Sequence, residues 1–534
     1  MPVSPLDFTG ADTEKLQAAI DILPADGGTV IIPELTMFVE GIQVSGTSGD
    51  KSNVFLVGSG SSSRLVLPTG SNLNVLEVMS GAGHAIKNVR VTGSKGNGGT
   101  PVRGPTRGMW LPSVSYAVND TAEVSASNTA TGTVLASNLV YKCTAAHTSS
   151  PAFLTDKNTK WVLVSEPNFQ AVDLSYRYRN GVYVDGAANV TISGSLIDAC
   201  VYAGVNIGTG PVQAANAGPG ASNVRVFGNT ITGCENGIAG GKWTDCRITD
   251  NHFFDCDVYG VVTDVGSSNC LISGNTLVGK AGCLYAVFLY SCQKTIVSNN
   301  SIRGWLNGVV QDGGSFLNQV TSNTLNDISN IAVFSRAGNI GSISGNIIHA
   351  VASHGAQIMD TSQVSVCGNV VSACGGDGIN LTTSSAVTVS GNTSRMNTGS
   401  GIRLAGCYDA TLSANIALDN GADGITGDNS SRVVASSNRC FDSRSAGSKT
   451  QDYGVRTTGT SNSWRVVAND LSLNGTADYS LVGNANYTFG NDRYEAAQKV
   501  GKTVQASASN VVSTLVPIVD AGGSTRYLLA RNTP

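Results

Sequence analysis

The chain has 534 residues and carries 33 Lys and Arg against 37 Asp and Glu, a net charge of −4 that gives no electrostatic basis for binding nucleic acid or an anionic membrane. Its 64 glycines and 13% charged residues suit a tightly wound chain with many turns, and no apolar run reaches the roughly 18 residues a membrane-spanning helix needs. The opening Met1-Pro2-Val3-Ser4-Pro5 lacks a basic stretch followed by an apolar one, so no secretory leader is expected. The twelve cysteines lack the spacing of a disulfide framework or a zinc site. They are expected to be small apolar residues stacked inside the fold, kept reduced in the cytoplasm where the chain is made.

Residues 1–40 are expected to form a cap. Asp12 can serve as an N-cap, Leu16, Ala19, Ile20 and Leu23 follow at helical spacing, and Pro24 ends the helix. Gly27-Gly28-Thr29-Val30-Ile31-Ile32-Pro33 then reads as turn, strand and stop. Residues 41–112 hold irregular early coils, including Val54-Phe55-Leu56-Val57 and Ala85-Ile86-Lys87-Asn88-Val89-Arg90-Val91. Residues 113–167 break the pattern and are expected to be a small inserted β module. The coils resume at 168 and run to about 485, and 486–534 is expected to be a closing strand segment or a subunit contact.

Within 168–485 an apolar-x-apolar-x-Gly-Asn-x-apolar segment recurs. Its asparagine falls at Asn229, Asn251, Asn275, Asn300, Asn323, Asn346, Asn369, Asn392, Asn415 and Asn438, with steps of 22, 24 and 25 and then six of 23 residues. Self-similarity at that period signals a solenoid. The repeats hold short alternations such as Val364-Ser365-Val366, bounded by Gly, Asn, Ser and Asp, and no helical stripe of ten residues. The fold class expected is all-β: a right-handed, single-stranded parallel β-helix of about 23 residues per coil, with a buried asparagine ladder.

The opening DTEKLQAAIDILPADGGTVIIPE, with the repeats behind it, resembles the pectate-lyase-like β-helix superfamily, in particular phage tailspike and depolymerase proteins. The inserted stretches YAVNDTAEV and LVYKCTAAHTSSPAFLTDKNTKWVLV resemble a small carbohydrate-binding module of the chitin-binding type. In it Tyr141, Phe153 and Trp161 serve either as a sugar platform or as the module's own core. The tailspike resemblance implies a homotrimer on a virion tail, made in the host cytoplasm and acting outside the cell on a bacterial surface polysaccharide, capsule or O-antigen. The Asn-Thr-Asp, Asp-Asp, Gly-His-Gly and Arg-Ile-Lys signatures of polygalacturonases are absent as a set; Asp377-Gly378-Ile379 and His354-Gly355 are fragments of them. No dense acidic cluster of the calcium-dependent pectate lyase kind is evident, so neither calcium nor another cofactor is expected.

A β-helix interior is filled, so chemistry belongs on the outer face. One strand of each coil is marked by a small residue before an inward apolar one, at Val261, Val287, Val309, Val333, Ala356 and Ile379. Alternation projects outward the residues one and three places later. The nearer column reads Val262, Phe288, Val310, Phe334, Gln357, Asn380, and the farther one Asp264, Tyr290, Asp312, Arg336, Met359, Thr382. Asp264 and Asp312 fall two coils apart, about 9.6 Å at the backbone, which side-chain tilt can turn into the carboxyl separation of an inverting glycosidase. One would be the general acid and the other would activate water. Tyr290, Arg336, Phe288, Phe334, Trp305 and Gln357 are the expected substrate-binding residues. Each aspartate also precedes a loop, where Asp bonds its own backbone. Glu235, Asp255, Asp257, Trp243, His349, His354 and Asp360 are further polar or aromatic candidates. Two other readings use the same scaffold: a lyase with Tyr290 or a histidine as base and Arg336 neutralising a uronate, and a non-catalytic glycan-binding spike.

Overall fold

In the computed structural model, residues 2–68, 71, 73–95, 180–208 and 219–491 are described, together with short stretches within 106–165 and 514–530. Three parallel sheets of 16, 15 and 14 strands run side by side, and in each the neighbouring strands come from successive coils. The path is a right-handed solenoid of about 16 turns and about 23 residues per turn. Val261, Val287, Val309, Val333, Ala356 and Ile379 all point inward, each at most 1% exposed. They join one continuous core that begins under the helix at Leu16 and ends at Leu471. A solenoid buries its apolar strand faces only by stacking coils, which is why the core has this length.

The ladder is observed in full. Each asparagine Nδ2 donates to the Oδ1 of the next coil's asparagine at 2.9–3.1 Å from Asn229 through Asn438. The same amide also donates to a carbonyl of the coil behind, as Asn369 does to Ile343 O at 2.9 Å. The column extends past the ten repeats to Asn469 and Asn491, and Ser195 N–H caps its other end on Asn229. The residue before each asparagine is left-handed, with φ from +53° to +69° at Gly228, Asp250, Gly274, Asn299, Ser322, Gly345, Gly368, Gly391, Ala414, Ser437 and Ala468. That conformation explains why Gly recurs there. A second stack, Asn397, Asn420, Gln451 and Asn474, lies five residues further on in most coils and was not read from the sequence.

The helix Asp12–Asp21 covers the first coil with Leu16, Ala19, Ile20 and Leu23 buried. Its N-cap is Ala11 rather than Asp12. Glu14 accepts the Ala11 N–H at 2.9 Å, and Asp12 instead accepts from Phe38 N–H at 2.9 Å, tying the helix to the neighbouring strand. Thr121–Val124, Leu139–Cys143 and Trp161–Ser165 of the 113–167 region form one four-stranded sheet with Thr106–Met109, which precedes it. Trp161 is 5% exposed and its Nε1–H donates to His147 Nε2 at 3.1 Å, so this ring serves the module's core. Phe153 and the Tyr141 side chain lie outside the described residues. All twelve cysteines are free thiols and all but Cys367 are buried. At the end of the chain Thr514–Val519 and Thr525–Ala530 pair as an antiparallel hairpin.

Candidate functional site

The outer face of the 15-stranded sheet carries the two columns at the expected register. Val262, Phe288, Val310, Phe334, Gln357 and Asn380 are direct partners on successive strands. Tyr290 pairs with Asp312, and Arg336 with Met359 and Thr382 in turn. Asp264 stands one residue beyond the Thr263–Leu289 pair, beside Tyr290.

Direction was predictable and exposure was not. Val262, Phe288, Tyr290, Asp264, Asp312 and Arg336 are 6–8% exposed, and Phe334 is 1%. Outside the main core Val262, Phe288, Tyr290 and Phe334 make a second apolar layer with Tyr202, Tyr259, Tyr285, Leu306 and Val310. Phe288 lies at its centre, with ring centroids 5.8, 5.1 and 6.0 Å from Tyr259, Tyr285 and Tyr290. Such spacing is that of packed aromatic pairs. Phe288 and Phe334 therefore pack on neighbours instead of standing open as stacking platforms. Tyr290 lies flat over Gly313, where φ is +66° and an added Cβ would come 2.1 Å from the ring, so glycine at 313 is what admits the tyrosine.

Trp305 is corrected outright. It is 0% exposed in the solenoid interior, with Nε1–H donating to Leu277 O at 3.2 Å. It sits five residues after Asn300, the inward position that Cys234, Cys256 and Cys374 occupy after their own ladder asparagines. Trp243 is likewise interior and donates to Ile207 O. Gln357 is half-buried at the edge of the aromatic layer.

The two carboxylates meet different surroundings. Asp264 is buried, its Oδ1 accepts the Val265 N–H at 2.7 Å, and burial pushes its pKa up to about 6. Asp312 is charge-paired. Arg336 Nε donates to its Oδ1 at 3.1 Å and Nη2 to its Oδ2, while Gly313 N–H also reaches Oδ1 at 2.7 Å. Burial works against the Arg336 charge, but the hydrogen bonds and charge of Asp312 outweigh it and raise the guanidinium pKa. Arg336 is therefore committed to Asp312 and does not stand free for a sugar carboxylate. The turn reading holds as well, since each aspartate bonds the N–H that follows it.

The shift at Asp264 fixes a sign. A carboxyl whose folded pKa lies above its unfolded one stabilises the fold fully below the unfolded value, and that contribution is lost as pH rises through about 6. Asp264→Asn keeps an acceptor for Val265 and removes the titration. Its stability relative to the parent is expected to rise by about 2–3 kcal/mol between about pH 4 and about pH 8. Urea unfolding at the two pH values checks this; a gain independent of pH overturns the assignment.

The remaining candidates lie elsewhere. Asp257 is held between Lys95 and Lys280, the latter at 2.7 Å, so it is an ion-pair centre rather than half of a pair with buried Glu235. His349 Nδ1 meets Ser372 Oγ at 3.0 Å on the 14-stranded sheet, away from the stripe. Asp360 accepts from Thr383. His354 does share the outer face of the 15-stranded sheet with Asp377 and Asn380, and with them come Ser400, Arg403, Asp423, Thr426 and Arg456, which the sequence reading left aside. The signal was there: the same 23-residue register continues beyond Asn380. Among the described residues no three His, Cys, Asp or Glu side chains converge to hold a metal ion.

Residues 307–471 match the family model described as right handed beta helix region, and residues 167–340 the one described as periplasmic copper-binding protein (NosD). No curated protein matches the chain. Among solved structures, the tailspike protein of E. coli bacteriophage HK620, in a mutant form bound to a hexasaccharide, is similar at 14% identity and TM-score 0.48, covering 92% of this chain and 78% of that one. The A-module of mannuronan C-5 epimerase AlgE6 from Azotobacter vinelandii is similar at 14% identity and TM-score 0.31, covering 91% and 98%. What the coordinates and the family models share is the coil itself: the chain is a right-handed parallel β-helix protein.

Proposed function

We propose that the chain binds a polysaccharide and cleaves it by glycoside hydrolysis, with Asp264 as general acid and Asp312 as the base that activates water. The observation that carries this is the contrast between the two carboxylates. Burial holds Asp264 near 6, where a carboxylic acid still has its proton to give, while Asp312 is gripped by two hydrogen bonds from Arg336 and one from Gly313 N–H. Two carboxyls in unlike surroundings, one desolvated and one paired with a guanidinium, are how one site runs acid and base together. Two coils separate their backbones by about 9.6 Å, room for a water between carboxyl and sugar. In the step, the Asp264 proton passes to the glycosidic oxygen as the bond to the anomeric carbon breaks. Water attacks that carbon and its proton passes to Asp312. Asp312 Oδ2 accepts one hydrogen bond, from Arg336, and keeps a lone pair for that proton. The lyase reading is weaker here, because its carboxylate-neutralising Arg336 is already paired.

On this reading the chain is a depolymerase of the tailspike kind. It acts outside the cell as a homotrimer on a virion tail, and its substrate is a bacterial capsule or O-antigen. The test is a digest of capsular and O-antigen polysaccharides, followed by size-exclusion chromatography and mass spectrometry. Fragments of repeat-unit mass plus water support hydrolysis. Unsaturated fragments lacking that water move the chemistry to a lyase. Binding without fragments sinks the enzyme reading and leaves a glycan-binding spike.

A further inference from the structure

Past Phe334 the outer face of the same sheet changes character. The column that reads Val262, Phe288, Val310, Phe334 continues as Gln357, Asn380, Arg403, Thr426 and Arg456. Three residues before these, at the strand entrance, stand His354, Asp377, Ser400 and Asp423 on four consecutive coils. The aromatic layer has given way to a polar one with a partly exposed rim.

Most of this layer is internally bonded. Asp377 accepts from Ser400 N–H at 2.8 Å and Asn380 Nδ2 at 2.7 Å, and faces His354 Nδ1 at 3.5 Å. His354 Nδ1 accepts the Asp377 N–H at 3.0 Å, which leaves the proton on Nε2 of the neutral ring. Ser400 and Thr426 hydroxyls meet at 2.7 Å, and Thr426 Oγ1 donates to Asp423 Oδ2 at 2.9 Å. Asp423 differs from Asp377. It is 4% exposed, and its Oδ1 is buried with no hydrogen bond of good geometry, only a weak approach from the Tyr453 N–H of the next coil. An orphaned buried carboxylate oxygen costs far more than a bonded one. A turn aspartate that only shaped the backbone would be satisfied by it, as Asp377 is.

Two arginines stand on the strands either side of that oxygen's coil, with backbones about 4.8 Å from it by strand spacing. The Arg403 side chain is 41% exposed, and its nearest carboxylate, Asp428, is 3.8 Å off, too long for a good hydrogen bond. Arg456 lies over the Tyr453 ring at 5.1 Å and, among the described residues, is in no ion pair. Both cations are thus available, unlike Arg336.

We propose that this face, from His354 to Arg456, is a second carbohydrate subsite selective for sugars that bear a carboxylate, with Arg403 and Arg456 holding the carboxylate and Asp423 Oδ1 accepting from a ring hydroxyl. The inference rests on the reading of the chain as a glycan-binding protein, and not on cleavage at Asp264. Guanidinium supplies the paired donors that match a carboxylate, and a buried acceptor beside it sets the ring's orientation.

The test is isothermal titration calorimetry of the full chain with trigalacturonate, trimannuronate and their carboxyl-reduced neutral counterparts. At least one acidic trimer is expected to bind, with its neutral counterpart at least about tenfold weaker, the loss of a charge-assisted hydrogen bond. Arg403→Ala with Arg456→Ala should weaken the acidic trimer by at least about tenfold and leave the melting temperature unchanged, because both side chains reach solvent. Asp423→Ala, which removes the acceptor, should weaken acidic and neutral trimers alike. Thr388→Ala, on the 16-stranded sheet, should bind as the parent does, and a digest without fragments leaves the subsite standing. Failure of both acidic trimers to bind, equal binding of the neutral ones, or indifference to the double arginine variant overturns it.

Discussion

Asn369→Ala is expected to destabilise the chain by about 3–5 kcal/mol, more than a typical single substitution. The reason is the number of groups one amide serves. Its Oδ1 accepts both the backbone N–H and the Nδ2–H of Asn346. Its Nδ2 donates to Ile343 O and to Asn392 Oδ1. Alanine removes all four bonds, and at a position 1% exposed no water replaces them. Each buried donor or acceptor left behind costs about 1–3 kcal/mol, reduced where the turn can relax. Thr388→Ala, at an exposed outward position of the next coil, should change stability by less than about 0.5 kcal/mol. Urea denaturation of the three proteins measures both. A cost below about 1 kcal/mol for Asn369→Ala would mean that the ladder records the coil without holding it.

That ladder is also why the fold was legible. Every coil must present the same amide at the same place to satisfy the coils ahead and behind, so the period survives while the rest of the repeat drifts. Where the coil lengthens, the pattern is lost to the eye: from Asn438 to Asn469 the step is 31 residues. Asp442 folds the excess back by accepting from Arg444, Thr450 N–H and Gln451 N–H. The site was legible only in part. Period 2 says which way Phe288, Asp312 and Arg336 point, and the register says that Asp312 and Arg336 are neighbours. It does not say what lies beyond the face, so the burial of the stripe was unreadable. Trp305 was misplaced for a different reason. Its identity suggested a sugar platform, although its position, five after Asn300, already placed it inside with the cysteines. The polar half from His354 to Arg456 was missed because Asp377 was read only as a fragment of a signature and the outward columns were followed no further than Asn380 and Thr382; a column separated by 23 residues shows only when the coils are aligned.

Asp264→Asn is expected to lower kcat on the cleaved polysaccharide by about 10²–10⁴-fold with KM little changed, since it removes a proton donor and leaves the shape of the site. The pH profile should identify it. With the Asp264 pKa near 6, parent activity falls as pH rises past about 6, and the variant's residual activity should lose that limb. Asp312→Asn should cost as much, by a different route, because the base and the partner of Arg336 disappear together. Arg336 separates the two roles of Asp312. Arg336→Met leaves a carboxylate that is 7% exposed without its counter-charge, and should cost about 2–3 kcal/mol of stability as well as activity. Joining Asp312→Leu to Arg336→Met replaces the pair by apolar neighbours of the surrounding aromatic layer and should return most of the stability, because a buried ion pair is held against its own desolvation. Activity should not return with it. A double variant that is both stable and active would show that the pair braces the coil and takes no part in cleavage, and the catalytic reading of this stripe would fall with it.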